Sequence, residues 1–155
     1  MNNLDAVRLT QDLVRFDTIN PPGQELASIE MLANLLNEAG LRIKIHAFGE
    51  KRANLVATLD GEKAGPALCF TGHVDTVPLG SAPWQRDPFG GEIIDGRLYG
   101  RGSTDMKSGV AAFVAAACAA ARDERKAGGR VTLIITAGEE TGCDGATELV
   151  KAGVL

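Results

Sequence analysis

Apolar residues recur at helical spacing in some segments of the chain and dominate others, and together they predict four helices. The predicted helices cover approximately residues 3–16, 26–40, 105–121 and 146–151. Asn3 is a suitable N-cap for the first helix, and Gly40 is a suitable stop for the second. The third segment is alanine-rich and almost continuously apolar.

Four other segments have the pattern of β-strands. They are Leu41–His46, Asn54–Leu59, Ala67–Thr71 and Val131–Thr136. The first alternates apolar and polar residues, which predicts one solvated face, whereas the last two are continuous apolar runs that are typical of central strands covered on both faces. Because helices alternate with buried strands, we expect an α/β fold with a mixed, mostly parallel sheet flanked by helices.

The composition excludes several classes of protein. Hydrophobic residues make up 45% and charged residues 23% of the 155 residues, which is an ordinary balance for one globular domain. The net charge is −4 and the basic residues are scattered, so neither nucleic acid nor an anionic membrane is an expected partner. The N-terminus lacks the pattern of a signal peptide and no apolar run is long enough to span a bilayer, so we expect a cytoplasmic protein.

The three cysteines have no CxxC spacing. Cys69 lies in a predicted strand and Cys118 in a predicted helix, so both are expected to be buried, inert thiols. Cys143 lies close to two acidic residues but has no histidine or cationic partner nearby in the sequence, and we expect it to be a bystander.

One histidine and several acids follow the predicted strands directly. His73 and Asp75 come after the run that ends at Thr71, and Glu139 and Glu140 come after the run that ends at Thr136. Ligands of α/β proteins bind beyond the carboxyl ends of strands, and an imidazole with carboxylates is a ligand set for Zn²⁺. In extended backbone, positions 73 and 75 project to the same side, so Asp75 can orient the imidazole of His73.

Each of these features also has a simpler interpretation when it is taken alone. His73 and Asp75 can be a chance pair in a loop. Asp105, which follows a glycine-rich stretch and opens the alanine-rich helix, can be a helix N-cap favoured by the helix dipole. The pair Glu139–Glu140 can be a solvated acidic turn, although two adjacent carboxylates repel and raise the pKa of one of them. A phosphate-binding loop at 100–108 is disfavoured, because Met106 precedes the lysine where such a loop has glycine.

Taken together and in order, the segments 72–78, 100–109 and 139–142 resemble the M20 metallohydrolases. This group includes acetylornithine deacetylase, succinyl-diaminopimelate desuccinylase, carboxypeptidase G2-like enzymes and aminoacylases. The resemblance extends over nearly the whole chain, including the predicted N-terminal helices and the segment Trp84–Phe89.

The resemblance implies a role for each residue of the set. His73 would bind one zinc ion, Asp105 would bridge two, and Glu140 would bind the second. Asp75 and Glu139 would be the catalytic pair: Asp75 would orient His73, and Glu139 would be the general base for a metal-activated water. The implied cofactor is two Zn²⁺ per complete site, with Co²⁺ or Mn²⁺ as substitutes, and the implied substrate is an N-acyl amino acid or a short peptide.

The chain also departs from the family. The resemblance calls for a further acidic ligand and a late histidine downstream of Glu140, and neither precedes Leu155. We therefore expect residues 1–155 to be the N-terminal segment of a zinc-dependent exopeptidase-like catalytic domain. The lid or dimerisation domain and the C-terminal catalytic segment are expected to lie outside these residues, and the full-length parent is expected to be a homodimer. We also expect an exposed sheet edge, weak zinc binding and little activity in these residues alone, and the alternative is a non-catalytic fragment that keeps the fold.

Overall fold

A computed structural model describes residues 4–62, 65–123 and 128–155. It contains four helices and six strands within these ranges. In chain order they are α1 (Ala6–Val14), α2 (Leu26–Glu38), β1 (Arg42–Gly49), β2 (Arg52–Leu59), β3 (Leu68–His73), β4 (Ile93–Ile94), β5 (Arg97–Leu98), α3 (Ser108–Arg122), β6 (Val131–Thr136) and α4 (Asp144–Lys151).

The main sheet has the strand order β1-β2-β6-β3. The β1–β2 and β2–β6 pairs are antiparallel and the β3–β6 pair is parallel. The expected α/β class with a mixed sheet is confirmed, but the expected predominance of parallel pairs is wrong for the described residues. β1 and β2 follow each other through a tight turn, which makes an antiparallel hairpin the available pairing.

Strand β3 is an edge strand of this sheet, not a central one as its apolar run predicts. It pairs with β6 on one side, and no other described strand pairs with it. Its first residues are consequently accessible: the Leu68 residue is 52% exposed, and Cys69 is exposed instead of buried. The sequence analysis expected an exposed sheet edge of this kind. Along β3, only the last two residues, Gly72 and His73, are buried.

Helices α2 and α3 cover one face of the sheet: α2 packs against β1 and β2, and α3 packs against β3 and β6. Helix α1 packs against α3. The buried core between them contains Leu13, Leu32, Leu36, Leu55, Val114, Leu133 and Ile135. The fourth helix lies on the other face, where Asn54 of β2 donates a hydrogen bond to the carbonyl of Gly145.

The observed helix ends differ from the predicted ones by up to three residues. Asn3 lies outside the described residues, and within them the N-cap of α1 is Asp5, whose carboxylate accepts from the Val7 amide at 2.9 Å. Gly40 ends α2 as predicted, with φ at +96°, a conformation that favours glycine. α3 begins at Ser108, because Asp105 is extended and does not cap the helix. No helix among the described residues combines the length and apolarity needed to cross a membrane.

Candidate metal centre

The parallel pairing of β3 with β6 brings the histidine and the acidic pair to one end of the sheet. His73 is the last residue of β3 and stands opposite Thr136, the last residue of β6. Glu139 and Glu140 therefore leave the sheet beside His73, in the turn that leads from β6 to α4. This is the carboxyl-end location at which α/β sheets bind ligands.

Asp105 reaches the same point from a different element. It lies in an irregular turn, Ser103–Lys107, where its backbone is extended with φ at −119° and ψ at 104°. Its Oδ1 atom lies 3.2 Å from Nε2 of His73, and its side chain is 75% exposed. The carboxylate thus faces the imidazole and open space, and the interpretation of Asp105 as a helix cap is wrong.

One imidazole and two carboxylates converge to form a cluster that could hold a metal ion. The ligand atoms of His73, Asp105 and Glu140 all lie within 4.8 Å of one another. Nitrogen of histidine and oxygen of carboxylates are the donors that Zn²⁺ takes in catalytic sites. The donor set therefore fits a divalent cation, and the structure brings together all three residues that the sequence analysis assigned as ligands.

Asp75 lies behind His73, on the side away from the cluster. Nδ1 of His73 is 3.1 Å from the carbonyl oxygen of Asp75 and 3.4 Å from its Oδ1. Both atoms accept hydrogen bonds, which places the ring proton on Nδ1 and directs Nε2 toward Asp105. The nearest acceptor is the backbone carbonyl, so the main chain at Asp75 contributes to the orientation of the ring alongside the carboxylate.

The Asp75 carboxylate also holds the acidic turn. It is fully buried, and it accepts the backbone amide of Glu139 at Oδ1 and that of Glu140 at Oδ2, each at 3.1 Å. Burial opposes ionisation of this carboxyl, but the bonds from His73, Asn20 and the two amides outweigh it and lower its pKa to about 2. A single ionised carboxylate therefore fixes both the histidine and the turn that carries the glutamates.

The charges around the imidazole shift two further pKa values. Burial of His73 opposes its protonation, but the hydrogen bonds and charge of Asp75 and the charge of Glu139 raise its pKa to about 9. The pKa of Glu140 is raised, first by burial and then by the charges of Asp105 and Glu139, with His73 acting in the opposite direction. The sequence analysis expected one raised pKa in the glutamate pair, and Glu140 is that residue.

Glu139 lies beside this cluster with a solvent-exposed carboxylate. Its Oε2 atom lies 3.8 Å from Nε2 of His73, and its side chain is 46% exposed. A carboxylate that is near the metal ligands yet open to solvent can exchange a proton with a water molecule or substrate there. The assignments of Asp75 and Glu139 as the catalytic pair stay predictions.

The sequence analysis assigned no role to three residues at this centre. Asn20 and Thr141 are hydrogen-bonded to each other beside Asp75. Lys107 is fully buried, and its Nζ donates to the carbonyl of Phe16 at 2.9 Å. Their partners lie 55 to 121 residues away in the chain, so no local pattern reveals them.

An open cavity of about 620 Å³ borders the cluster on the β3 side. His73, Asp105 and Glu139 supply polar groups to its wall, while Met106 and Ile134 supply apolar surface. The exposed Cys143 also lines it. A small organic molecule that enters this space would lie against both the candidate metal ligands and the candidate base.

The chain is similar to known desuccinylases and peptidases. It is 46% identical over 151 residues to succinyl-diaminopimelate desuccinylase 2 of Ruegeria sp. (strain TM1040), with 96% of this chain and 37% of that protein covered. Its fold matches human carnosine dipeptidase 1 with a TM-score of 0.79 and 25% identity, over 95% of this chain and 34% of that one.

A third similar protein is a dinuclear metal-binding peptidase of the M20 family from Bacillus subtilis. The TM-score is 0.64 at 21% identity, with 97% of this chain and 39% of that chain covered, so this likeness concerns the fold. The chain thus spans little more than a third of the length of the relatives that it matches. The sequence profile of peptidase family M20/M25/M40 matches residues 69–155, which is more than half of the chain. The chain belongs to peptidase family M20/M25/M40, as the motif resemblance predicted.

Proposed function

We propose that the protein to which this chain belongs is a metal-dependent hydrolase of amide bonds in N-acyl amino acids or short peptides. The observation that carries the proposal is the convergence of His73, Asp105 and Glu140, whose ligand atoms lie within 4.8 Å of one another beside an open cavity. Membership of family M20/M25/M40 supports the same chemistry.

His73 and Glu140 would each hold a divalent cation, and Asp105, whose carboxylate has two oxygens, would hold both. We propose Zn²⁺ as the ion, since imidazole and carboxylate are its usual ligands in hydrolases. When bound, a pair of such ions lowers the pKa of water and polarises a carbonyl group. Asp75 keeps the imidazole in place by accepting from Nδ1, so Nε2 is left to face the metal.

Glu139 would move the proton. Its carboxylate is exposed and lies 3.8 Å from Nε2 of His73, so it can accept a proton from the attacking water. After the amide bond breaks, the same carboxyl can donate that proton to the departing amine. A residue that performs both transfers must stay free of the metal.

We further propose an N-acyl amino acid as the substrate, with N-succinyl-diaminopimelate as the first compound to test. The support is the 46% identity to a succinyl-diaminopimelate desuccinylase over 96% of this chain. The lining of the described cavity is mixed polar and apolar, which suits an acyl chain attached to a polar amino acid. The cytoplasmic location and the homodimeric parent stay predictions from the sequence.

The test is hydrolysis by the full-length protein, with release of the free amine measured before and after metal removal by a chelator. We expect activity with added Zn²⁺, loss of activity on chelation, and recovery on readdition of the ion. Glu139→Gln should abolish turnover while zinc binding remains, and Glu30→Gln, at an exposed position of α2, is the matched control.

Normal turnover by Glu139→Gln would overturn the assignment of the base. A full-length protein that folds and binds zinc but releases no amine from N-succinyl, N-acetyl or dipeptide substrates would overturn the proposed function. That outcome would favour the alternative drawn from the sequence, a protein that keeps the fold without turnover.

A further inference from the structure

A chain of hydrogen-bonded polar side chains runs behind the candidate metal centre. Nδ2 of Asn20 donates to Oδ2 of Asp75 at 3.0 Å and to Oγ1 of Thr141 at 2.8 Å. Oγ1 of Thr141 in turn donates to Oδ2 of Asp144 at 2.8 Å, and Nη1 of Arg52 approaches the same carboxylate at 3.4 Å. The chain therefore connects the residue that orients His73 with the start of helix α4.

Asn20 occupies a fixed position in this chain. It is 3% exposed, its backbone amide donates to the carbonyl of Thr76 at 2.8 Å, and the Thr76 amide donates to Thr18 at 3.0 Å. Since the Asp75 carboxylate only accepts hydrogen bonds, the nitrogen of the Asn20 amide must face it. Both hydrogens of that nitrogen are then used, one on Asp75 and one on Thr141.

The other end of this hydrogen-bonded chain, at Asp144, is held by Arg52. Arg52 is held by Glu25, which is fully buried, with Nη2 to Oε1 at 3.1 Å. Because the carboxylate of Asp144 has no proton to give, the hydroxyl proton of Thr141 points to Asp144, and its oxygen is free to accept from Asn20. The direction of every hydrogen bond in the chain is thus determined by the chemistry of its two ends.

Thr141 directly follows Glu140, so the hydrogen-bonded chain holds the turn that carries both glutamates. The backbone amides of Glu139 and Glu140 are held by Asp75, and the next side chain is held by Asn20. The side chain of Glu139 projects from this turn toward solvent and the cavity, with 46% exposure. Its position therefore depends on the backbone beneath it and not on close packing.

We propose that Asn20 and Thr141 are positioning residues that lock the Glu139–Thr141 turn to Asp75 and so preset the distance from Glu140 to His73. The inference rests on the proposed function in one respect, namely that Glu140 and His73 bind the metal. Residues that support metal ligands in this way typically contribute tenfold to a hundredfold in metal affinity or activity. We expect loss of the Thr141 hydroxyl alone to weaken zinc binding by a factor near the lower end of this range.

The test compares Thr141→Val, Thr141→Ser and Thr147→Val in the full-length protein. Valine has nearly the shape of threonine but lacks the hydroxyl, while serine restores it. Thr147 is an exposed threonine on α4 and serves as the matched control. Because Thr141 is also exposed, we expect all three variants to fold, which circular dichroism checks, and Asn20→Ala is an additional variant that breaks the chain at its buried end.

The first readout is Zn²⁺ affinity, measured by competition with a chromophoric chelator, and the second is kcat at saturating zinc. We expect Thr141→Val to bind Zn²⁺ about tenfold more weakly. Thr141→Ser and Thr147→Val should keep the wild-type affinity. With zinc saturating, kcat of Thr141→Val should remain lowered and KM nearly unchanged, because Glu139 shares the displaced turn.

Wild-type zinc affinity in Thr141→Val, or a loss that serine does not recover, would overturn the inference. The zinc measurement does not depend on turnover, so it also separates the two proposals. A wild-type protein that binds zinc without hydrolysing amides would contradict the proposed function, while the effect of Thr141→Val on zinc affinity would still decide the positioning role.

Discussion

Replacement of Asp75 by asparagine is the sharpest perturbation of the centre, because both carboxylate oxygens face N–H donors. Oδ1 accepts from Glu139, with His73 also at 3.4 Å, and Oδ2 accepts from Glu140 and Asn20. Asparagine has the same shape, but its amino group must replace one of the two oxygens. Whichever way the amide is turned, two donors then face another donor.

The expected cost follows from these contacts. Each buried donor that loses its acceptor costs about 1–3 kcal/mol. Breaking a buried, hydrogen-bonded charge pair by changing one partner costs about 3–5 kcal/mol. We therefore expect Asp75→Asn to lower the free energy of unfolding by about 3–5 kcal/mol, measured by urea titration with a chelator present so that metal binding does not contribute.

Asp60→Asn is the matched control for this measurement. The Asp60 carboxylate also contacts two cationic side chains, Arg42 at 2.8 Å and Arg130 at 3.2 Å, but it is 58% exposed. Exposed ion pairs contribute about 1 kcal/mol or less, so this variant should stay within that range. If Asp75→Asn is no more destabilising than Asp60→Asn, then Asp75 is not the buried hub that these contacts indicate.

Two further substitutions test the packing beneath the centre. Lys107→Ala should lower the free energy of unfolding by about 1–3 kcal/mol, because it removes buried methylenes and the donor to the Phe16 carbonyl. Burial of the ammonium is unfavourable and lowers the pKa of Lys107 to about 8, so its removal offsets part of this loss. Gly102 and Gly80 have nearly equal φ angles, +80° and +81°, but a Cβ on Gly102 would lie 2.5 Å from the Thr76 side chain whereas Gly80 has open space. Each change to alanine should therefore lower the free energy of unfolding by about 1–2 kcal/mol because of the strained backbone. Gly102→Ala should lower it by about 1–3 kcal/mol more because of the clash with Thr76.

These values are obtained from thermal or urea unfolding of the metal-free protein. Lys44, exposed on β1, provides the comparison for Lys107. Equal effects of Lys107→Ala and Lys44→Ala would contradict the buried position of Lys107. Equal effects of the two glycine substitutions would contradict the close contact between Gly102 and Thr76.

Local patterns were sufficient for the positions of most elements. The predicted strand Val131–Thr136 matches β6 residue for residue, and Gly40 marks the end of α2. These features depend on hydrophobic runs and on backbone conformations that few residues adopt, both of which are properties of short segments. The acids and histidine after strand ends were found for the same reason.

The order and pairing direction of the strands could not be predicted from local patterns. An apolar run predicts burial but does not identify the neighbours that provide it, so β3 was expected to be central and is an edge strand with Leu68 exposed. The direction of pairing likewise depends on the path of the chain between strands. The extended backbone at Asp105 could not be predicted either, since an acid before an apolar segment is also the usual N-cap pattern.

The supporting residues of the centre required the tertiary structure. Asn20 and Thr141 are 121 residues apart, and each alone is an ordinary loop residue. Lys107 stands before an apolar helix, where a solvated lysine is the common outcome. The residues that would touch the metal could thus be identified from motifs, whereas the residues that hold them in place became visible only through contacts.

The most direct test of the proposed metal centre is a crystal structure of the full-length protein grown with Zn²⁺, with anomalous scattering recorded at the zinc absorption edge. We predict two anomalous peaks, one at about 2.0–2.2 Å from Nε2 of His73 and the other at a similar distance from the Glu140 carboxylate, with the Asp105 carboxylate contacting both ions. Zinc bound only at other residues, with these three side chains left without it, would contradict the assignment.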